Sequence, residues 1–221
     1  MIQLNARLDL DRRNRLGLVE AIWGEHKTCE QIAGILNRFD EAGEIALVTR
    51  VQVEKANKLL RLFEKAKYHP DANCLTVGNP LPENLSLGEV VVLSGGTSDL
   101  PVAAEAQLAL RWHGIKTKIV LDVGVAGLHR LLSELDGLKK SKVVIACAGM
   151  EGALPTILAG LIPQPVIGVP ISVGYGVSGG GEAALDGMLS SCSPGLLVVN
   201  IDNGYGAAMA ALRIIKTACL I

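Results

Sequence analysis

From Val90 onward, five largely apolar runs, Val90–Leu93, Lys118–Leu121, Lys142–Ala146, Val166–Val169 and Leu196–Ile201, alternate with segments of helical spacing. Those segments lie near residues 100–112, 125–136, 152–161, 179–190 and 205–217. Runs of four to six apolar residues bounded by Gly, Pro or charge read as strands covered on both faces. Strands alternating with helices of this length form βαβ units, which fixes the fold class as α/β with a doubly wound parallel sheet. Such sheets bind ligands beyond the carboxyl ends of their strands, so the residues after each run are where chemistry is expected.

The composition agrees. Hydrophobic residues make up 49 % of the chain but aromatics only 3 %, so the core is built from Val, Leu, Ile and Ala. With 25 glycines among 221 residues, this suits a buried parallel sheet better than a sandwich or helical bundle. Twenty-one Lys and Arg against 22 Asp and Glu leave a net charge of −1, which offers no footprint for nucleic acid or an anionic membrane. A small-molecule ligand is the expectation.

Cys29, Cys74, Cys147, Cys192 and Cys219 are widely spaced and form no Cys-x-x-Cys pair, so neither a disulfide framework nor a structural zinc site is suggested. The uncharged stretch Gly152–Gly181 is broken by Pro155, Pro163, Pro165 and Pro170 and reads as short buried elements, not a membrane span. The first residues lack the apolar centre of a signal peptide, and a soluble cytoplasmic protein is expected.

Residues 1–70 are expected to form an arm and a small N-terminal α/β unit. Residues 1–27 read as the extended arm, with Trp23, His26 and Lys27 near its end, facing a partner or the active site or else packed as a surface strand. Thr28 and Gln31 suggest a capping box opening a helix over about 29–40, Ile45–Thr49 a strand, and 52–67 a second amphipathic helix. Residues 71–88, rich in Pro, Asn, Asp, Gly and Ser, read as a linker, which leaves 89–221 as the second and larger domain.

Four stretches beyond strand ends carry candidate chemistry. Ser94-Gly95-Gly96-Thr97-Ser98-Asp99 enters a helix, and its amides and hydroxyls suit a phosphate, although an ordinary helix cap by Ser98 or Asp99 explains the same residues. Asp122 ends the second run, where a carboxylate can hold a ribose or orient an acid–base group; His129, seven residues on, reads more readily as a helix-surface residue than as a functional one. Glu151 stands in Gly149-Met150-Glu151-Gly152 just past an apolar strand, while Cys147 reads as core. Cys192 lies in a Ser/Pro/Gly loop before the last strand, where a thiol is either a nucleophile or inert. The stretch Ser172–Gly181, with five glycines in ten residues, is a lid, a place of close backbone approach or a flexible connection.

Taken together, Gly17–Thr28, Ser94–Asp99, Asp122–Arg130, Ala148–Pro155 and Cys192–Gly206 resemble the LarB family, which begins synthesis of the nickel-pincer nucleotide cofactor. The C-terminal domain is in turn similar to PurE, a flavodoxin-like three-layer fold, through Gly95–Asp99, the Ala-Gly…Ala-Leu-Pro segment and the Asn203-x-Gly start of the last helix. PurE carries Ser-Ala-His-Arg after its second strand, whereas this chain reads Asp122-Val-Gly-Val-Ala-Gly-Leu-His129-Arg130.

The LarB resemblance implies carboxylation of nicotinic acid adenine dinucleotide at C5 of its pyridinium ring. It also implies hydrolysis of the phosphoanhydride, with CO2 as co-substrate and Mg2+ carried mainly by the diphosphate; no dedicated metal site is suggested. Cys192 matches the family's nucleophile and Glu151 its acidic residue, with Asp122 and His129 as further catalytic candidates. Ser94, Gly95, Gly96, Thr97, Ser98, Asp99, Gly149, Met150, Gly152, Asn203 and Gly204 are the expected binding residues. The PurE likeness implies a homo-octamer with shared sites. The alternatives are a PurE-type aminoimidazole ribonucleotide carboxylase or mutase, and a non-catalytic nucleotide-binding or assembly module.

Overall fold

The computed structural model describes residues 6–218, which fall into two compact units divided between Leu81 and Pro82. In the first, α1 (Arg12–Leu16), β1 (Ala21–Trp23), α2 (Cys29–Glu41), β2 (Ala46–Thr49), α3 (Val53–Leu60), β3 (Ala66–His69) and β4 (Cys74–Val77) build a four-stranded sheet of order β1-β2-β4-β3. β1 runs parallel to β2, and β4 pairs antiparallel with both β2 and β3. The capping box of Thr28 and Gln31 starts α2, whose buried stripe of Ile32, Ile35, Leu36 and Phe39 joins Ile22, Val48 and Leu75 in one core.

Three expectations for this region change. The extended arm is interrupted by the helix Arg12–Leu16, and its end is the packed strand 21–23, with Leu18, Val19 and Ile22 buried. The second helix stops at Leu60 because the Leu59 carbonyl takes the N–H of both Leu62 and Phe63 and turns the chain. Phe63 still packs on the core, so the apolar spacing of a helix runs on in the sequence to where β3 is about to begin. Finally, the stretch read as linker contains β4, a central strand buried at all four residues; its Cys-Leu-Thr-Val run is masked in sequence by flanking Asn73 and Gly78.

In the second unit β5 (Glu89–Ser94), α4 (Leu100–Trp112), β6 (Lys116–Val120), α5 (Leu128–Leu138), β7 (Val143–Ala148), α6 (Ala153–Leu161), β8 (Val166–Pro170), α7 (Glu182–Leu189), β9 (Leu197–Val198) and α8 (Gly204–Ala218) follow in strict alternation. The sheet is wholly parallel with order β6-β5-β7-β8-β9. Counted within the unit this is 2-1-3-4-5, the doubly wound order expected, with its topological switch between β5 and β7. Helices cover both faces. Val91, Leu93, Val144 and Ala146 pack against Leu131 of α5, Leu154 and Leu158 of α6, and Met188 of α7. On the opposite face α4 and α8 lie against each other through buried alanines, among them Ala103, Ala106, Ala207 and Ala211.

β9 is shorter than the Leu196–Ile201 run because it is an edge strand with a single neighbour, and the Asn200 side chain captures the Ile201 N–H. The chain still follows β8, with Val199 and Asp202 donating to the Gly168 and Pro170 carbonyls. Among the described residues, no helix is long and apolar enough to cross a membrane.

Candidate active site

A cavity of about 440 Å³ opens beyond the carboxyl ends of β5 and β7, at the switch point. It is lined by four loops: Gly95, Gly96, Ser98 and Asp99 after β5; Gly124, Val125, Ala126 and Arg130 after β6; Ala148, Gly149, Met150, Glu151, Ala153 and Leu154 after β7; Val173, Gly174 and Tyr175 after β8.

Backbone approach is what brings these loops together. A Cβ on Gly124 would lie 2.5 Å from the Gly95 carbonyl oxygen, and one on Gly149 would lie 2.5 Å from that of Val173. Buried Ser94 adds a bridge, its hydroxyl accepting from the Asp122 N–H at 3.3 Å. Among the described residues of this unit, the non-glycine residues with positive φ, Asp122 (59°), Met150 (54°) and Asp202 (54°), all follow strand ends. Strain of this kind persists only where the surroundings enforce it, and it clusters at functional sites.

The polar groups differ sharply in setting. Asp99 is 4 % exposed and accepts from the Gly96 N–H at 2.8 Å. Burial pushes its carboxyl above the usual range, the Gly96 and Gly95 amides pull against that, and Asp202 adds to the rise. Glu151 is exposed at the turn closed by the Gly152 N–H on the Gly149 carbonyl. Gly152 itself (φ 67°) packs so closely on Ala184 that a Cβ would meet that residue's carbonyl oxygen at 2.6 Å. Arg130 is the one cation among the described lining residues, and its guanidinium donates to the Asp122 carboxylate.

The expected residues therefore divide. Gly95, Gly96, Ser98, Asp99, Gly149, Met150 and Glu151 line the cavity together. Ser94, Asp122 and Gly152 shape its loops from behind. Thr97 is exposed beside it. Asn203 and Gly204 organise the start of α8, Asn203 accepting from the Gly206 N–H at 2.7 Å and Gly204 packing on Val102 of α4. His129 is exposed on α5 and outside the lining. Cys192 is exposed too, and it lies in the loop between α7 and β9, before the last strand and outside the lining. Ser193 ties that loop to α6 by donating to the Thr156 carbonyl at 2.8 Å. Cys147 is fully buried, with burial and then Asp99, Glu105 and Asp202 pushing its thiol far up, so it stays protonated core.

Sequence reading did not single out Arg130 or Tyr175 as site residues. Both sit inside stretches already flagged, Asp122–Arg130 and the glycine-rich Ser172–Gly181. Among the described residues, no group of three or more His, Cys, Asp or Glu side chains is placed to hold a metal ion.

The fold is that of a PurE-like domain, and comparison with known proteins agrees. Residues 89–219 match the family model described as AIR carboxylase, and residues 2–79 the one described as LarB/PurE-like N-terminal domain. The chain belongs to the LarB family, an N-terminal LarB-type domain joined to a PurE-like enzyme domain.

An uncharacterised protein of Methanocaldococcus jannaschii is 39 % identical over 222 residues, covering 97 % of this chain and 86 % of that protein. The N5-carboxyaminoimidazole ribonucleotide mutase of the same organism is 36 % identical over 136 residues, 57 % of this chain and 78 % of the mutase. A crystal structure of Treponema denticola PurE2 aligns with TM-score 0.45 and 21 % identity over 60 % of this chain and 89 % of that one.

Proposed function

We propose that the protein carboxylates the pyridinium ring of nicotinic acid adenine dinucleotide at C5 and hydrolyses its phosphoanhydride, giving pyridinium-3,5-biscarboxylic acid mononucleotide and AMP. The observation that carries this reading is the meeting of Glu151, Arg130 and the Gly95–Asp99 loop around one cavity, in a chain whose N-terminal unit matches the LarB-type domain. Arg130 and the exposed Ser98 hydroxyl suit a phosphate, and Glu151 is exposed to a ring held above it.

The chemistry asks for a thiol. A pyridinium is electron-poor and does not attack CO2. Addition of the Cys192 thiolate at C4 turns it into a dihydropyridine whose C5 is an enamine carbon, and C5 then forms the new C–C bond to CO2. Glu151 takes the C5 proton, the electron pair restores the ring, and the C4–S bond breaks to release the thiolate. A separate water molecule splits the phosphoanhydride. In this reading Mg2+ enters with the substrate's diphosphate, whose oxygens supply most of its ligands.

Cys192 stands outside the lining of the cavity that holds Glu151, so the site is completed either by movement of the loop at 191–195 or by a neighbouring copy in a homo-octamer. The reading is tested by incubating the protein with nicotinic acid adenine dinucleotide, Mg2+ and 13C-bicarbonate. A labelled biscarboxylated mononucleotide with one equivalent of AMP is expected; turnover of aminoimidazole ribonucleotide instead would point to the mutase reaction of its relatives. Against that second reading, of the two residues shared with the Ser-Ala-His-Arg sequence, His129 lies outside the cavity and only Arg130 lines it.

A further inference from the structure

We propose that Tyr175 is the platform on which the flat, cationic ring of the substrate stacks, and so the residue that selects a pyridinium over a neutral ring. The inference rests on the function proposed above and deepens it.

Tyr175 is the one aromatic among the described residues lining the cavity. Its neighbours there are glycines, aliphatic side chains, Ser98, the carboxylates of Asp99 and Glu151, and Arg130. Arg130 suits anions, and the carboxylates offer charge without a π-face. A planar cation needs a π-face, whose negative quadrupole attracts it, and that is available at this position alone in the lining.

The ring is both free and presented. Tyr175 is 78 % exposed although it borders the cavity, so its faces are open to a ligand. The turn that carries it is nevertheless built. The Tyr175 carbonyl accepts from the Ser178 N–H at 3.1 Å, and the Gly180 N–H closes the loop onto the Ser172 carbonyl at 3.1 Å. The Ser172 N–H is in turn held by Asp202 at 2.8 Å. Gly174 admits no side chain, since a Cβ would sit 2.4 Å from the Ser178 carbonyl oxygen. A glycine-rich segment thus holds an aromatic ring at the mouth of the site.

The test compares two ligands that differ in ring charge and share ribose, phosphate and ring carboxyl: nicotinic acid mononucleotide and its 1,4-dihydro form. Calorimetric titration of the full-length native protein, Tyr175→Phe and Tyr175→Ala gives the preference of each for the cationic ring. The native protein and Tyr175→Phe are expected to favour the pyridinium by about 3- to 30-fold, the range of a cation–π contact, and Tyr175→Ala to lose most of that preference while binding the dihydro form almost unchanged. A full preference retained by Tyr175→Ala overturns the role of Tyr175 and leaves the proposed function standing. A native protein that binds neither ligand overturns both.

Discussion

The Arg130 guanidinium donates to the carboxylate of Asp122, eight residues earlier and across the turn that leaves β6. Gly127 lies beneath this pair, and a Cβ there would meet Arg130 Nε at 2.6 Å. A residue held in the strained left-handed region, Asp122, is thereby used to aim a cation at a cavity, in which it is the single positive charge among the described lining residues.

Arg130→Ala is expected to raise KM for a phosphate-bearing substrate by about 10- to 100-fold, the scale of a charge-assisted hydrogen bond, with a smaller change in kcat. Arg130→Lys restores the charge but not the planar fork, so recovery is partial. Steady-state kinetics of the two variants distinguish this from a structural defect, which would lower kcat without the graded change in KM.

The loop contacts make an opposed pair of glycine variants. Gly124→Ala places its methyl 2.5 Å from the Gly95 carbonyl oxygen, and rigid backbone must move; a loss of about 1–3 kcal/mol and weaker ligand binding follow. Gly137, within α5, has nothing within 4 Å of the corresponding position, so Gly137→Ala gains about 0.5–1 kcal/mol from helix propensity. Denaturant titration measures both; equal effects of one sign would contradict the packing described.

Burial keeps the Asp99 carboxyl above its ordinary value of 3.8. The folded protein then holds this proton more tightly than the unfolded chain does. Stability accordingly falls as pH rises from 3.8 through the raised value, and stays lower at neutral pH. Asn at this position keeps an oxygen for the Gly96 N–H without the buried charge. Asp99→Asn is expected to melt at higher temperature than the native protein near pH 7, with the gap closing as pH approaches 3.8. A gap independent of pH would show that the carboxylate is not the cause.

Much of this was readable from the chain because burial on both faces leaves nearly continuous apolar runs, such as Val143–Ala148, that only a central parallel strand explains. The Gly95–Asp99 and Gly149–Glu151 segments were legible for the same reason, since strand ends at the switch point are where ligands bind. The N-terminal sheet was harder. β4 is four residues between turn formers, and Phe63 is buried by a turn that mimics one more helical repeat. Tyr175 was hidden because a glycine-rich loop gives no sign of which of its side chains it points at a cavity.

The separation of Cys192 from the cavity lining makes an assembly-level prediction. If a neighbouring copy supplies the thiol, co-expressed Cys192→Ala and Glu151→Gln chains regain a fraction of native turnover in mixed oligomers, because some sites pair an intact Glu151 with an intact Cys192. Mixed oligomers without activity would place both residues in one chain's site and assign the closing motion to the 191–195 loop.

The central claim is the covalent step, and intact-protein mass spectrometry reads it directly. Native protein and Cys192→Ala are each incubated with nicotinic acid adenine dinucleotide and bicarbonate, quenched, and digested to locate any adduct. The account predicts a nucleotide adduct on the peptide carrying Cys192 in the native protein, and neither adduct nor biscarboxylated product from a folded Cys192→Ala. Undiminished product formation by Cys192→Ala would contradict it.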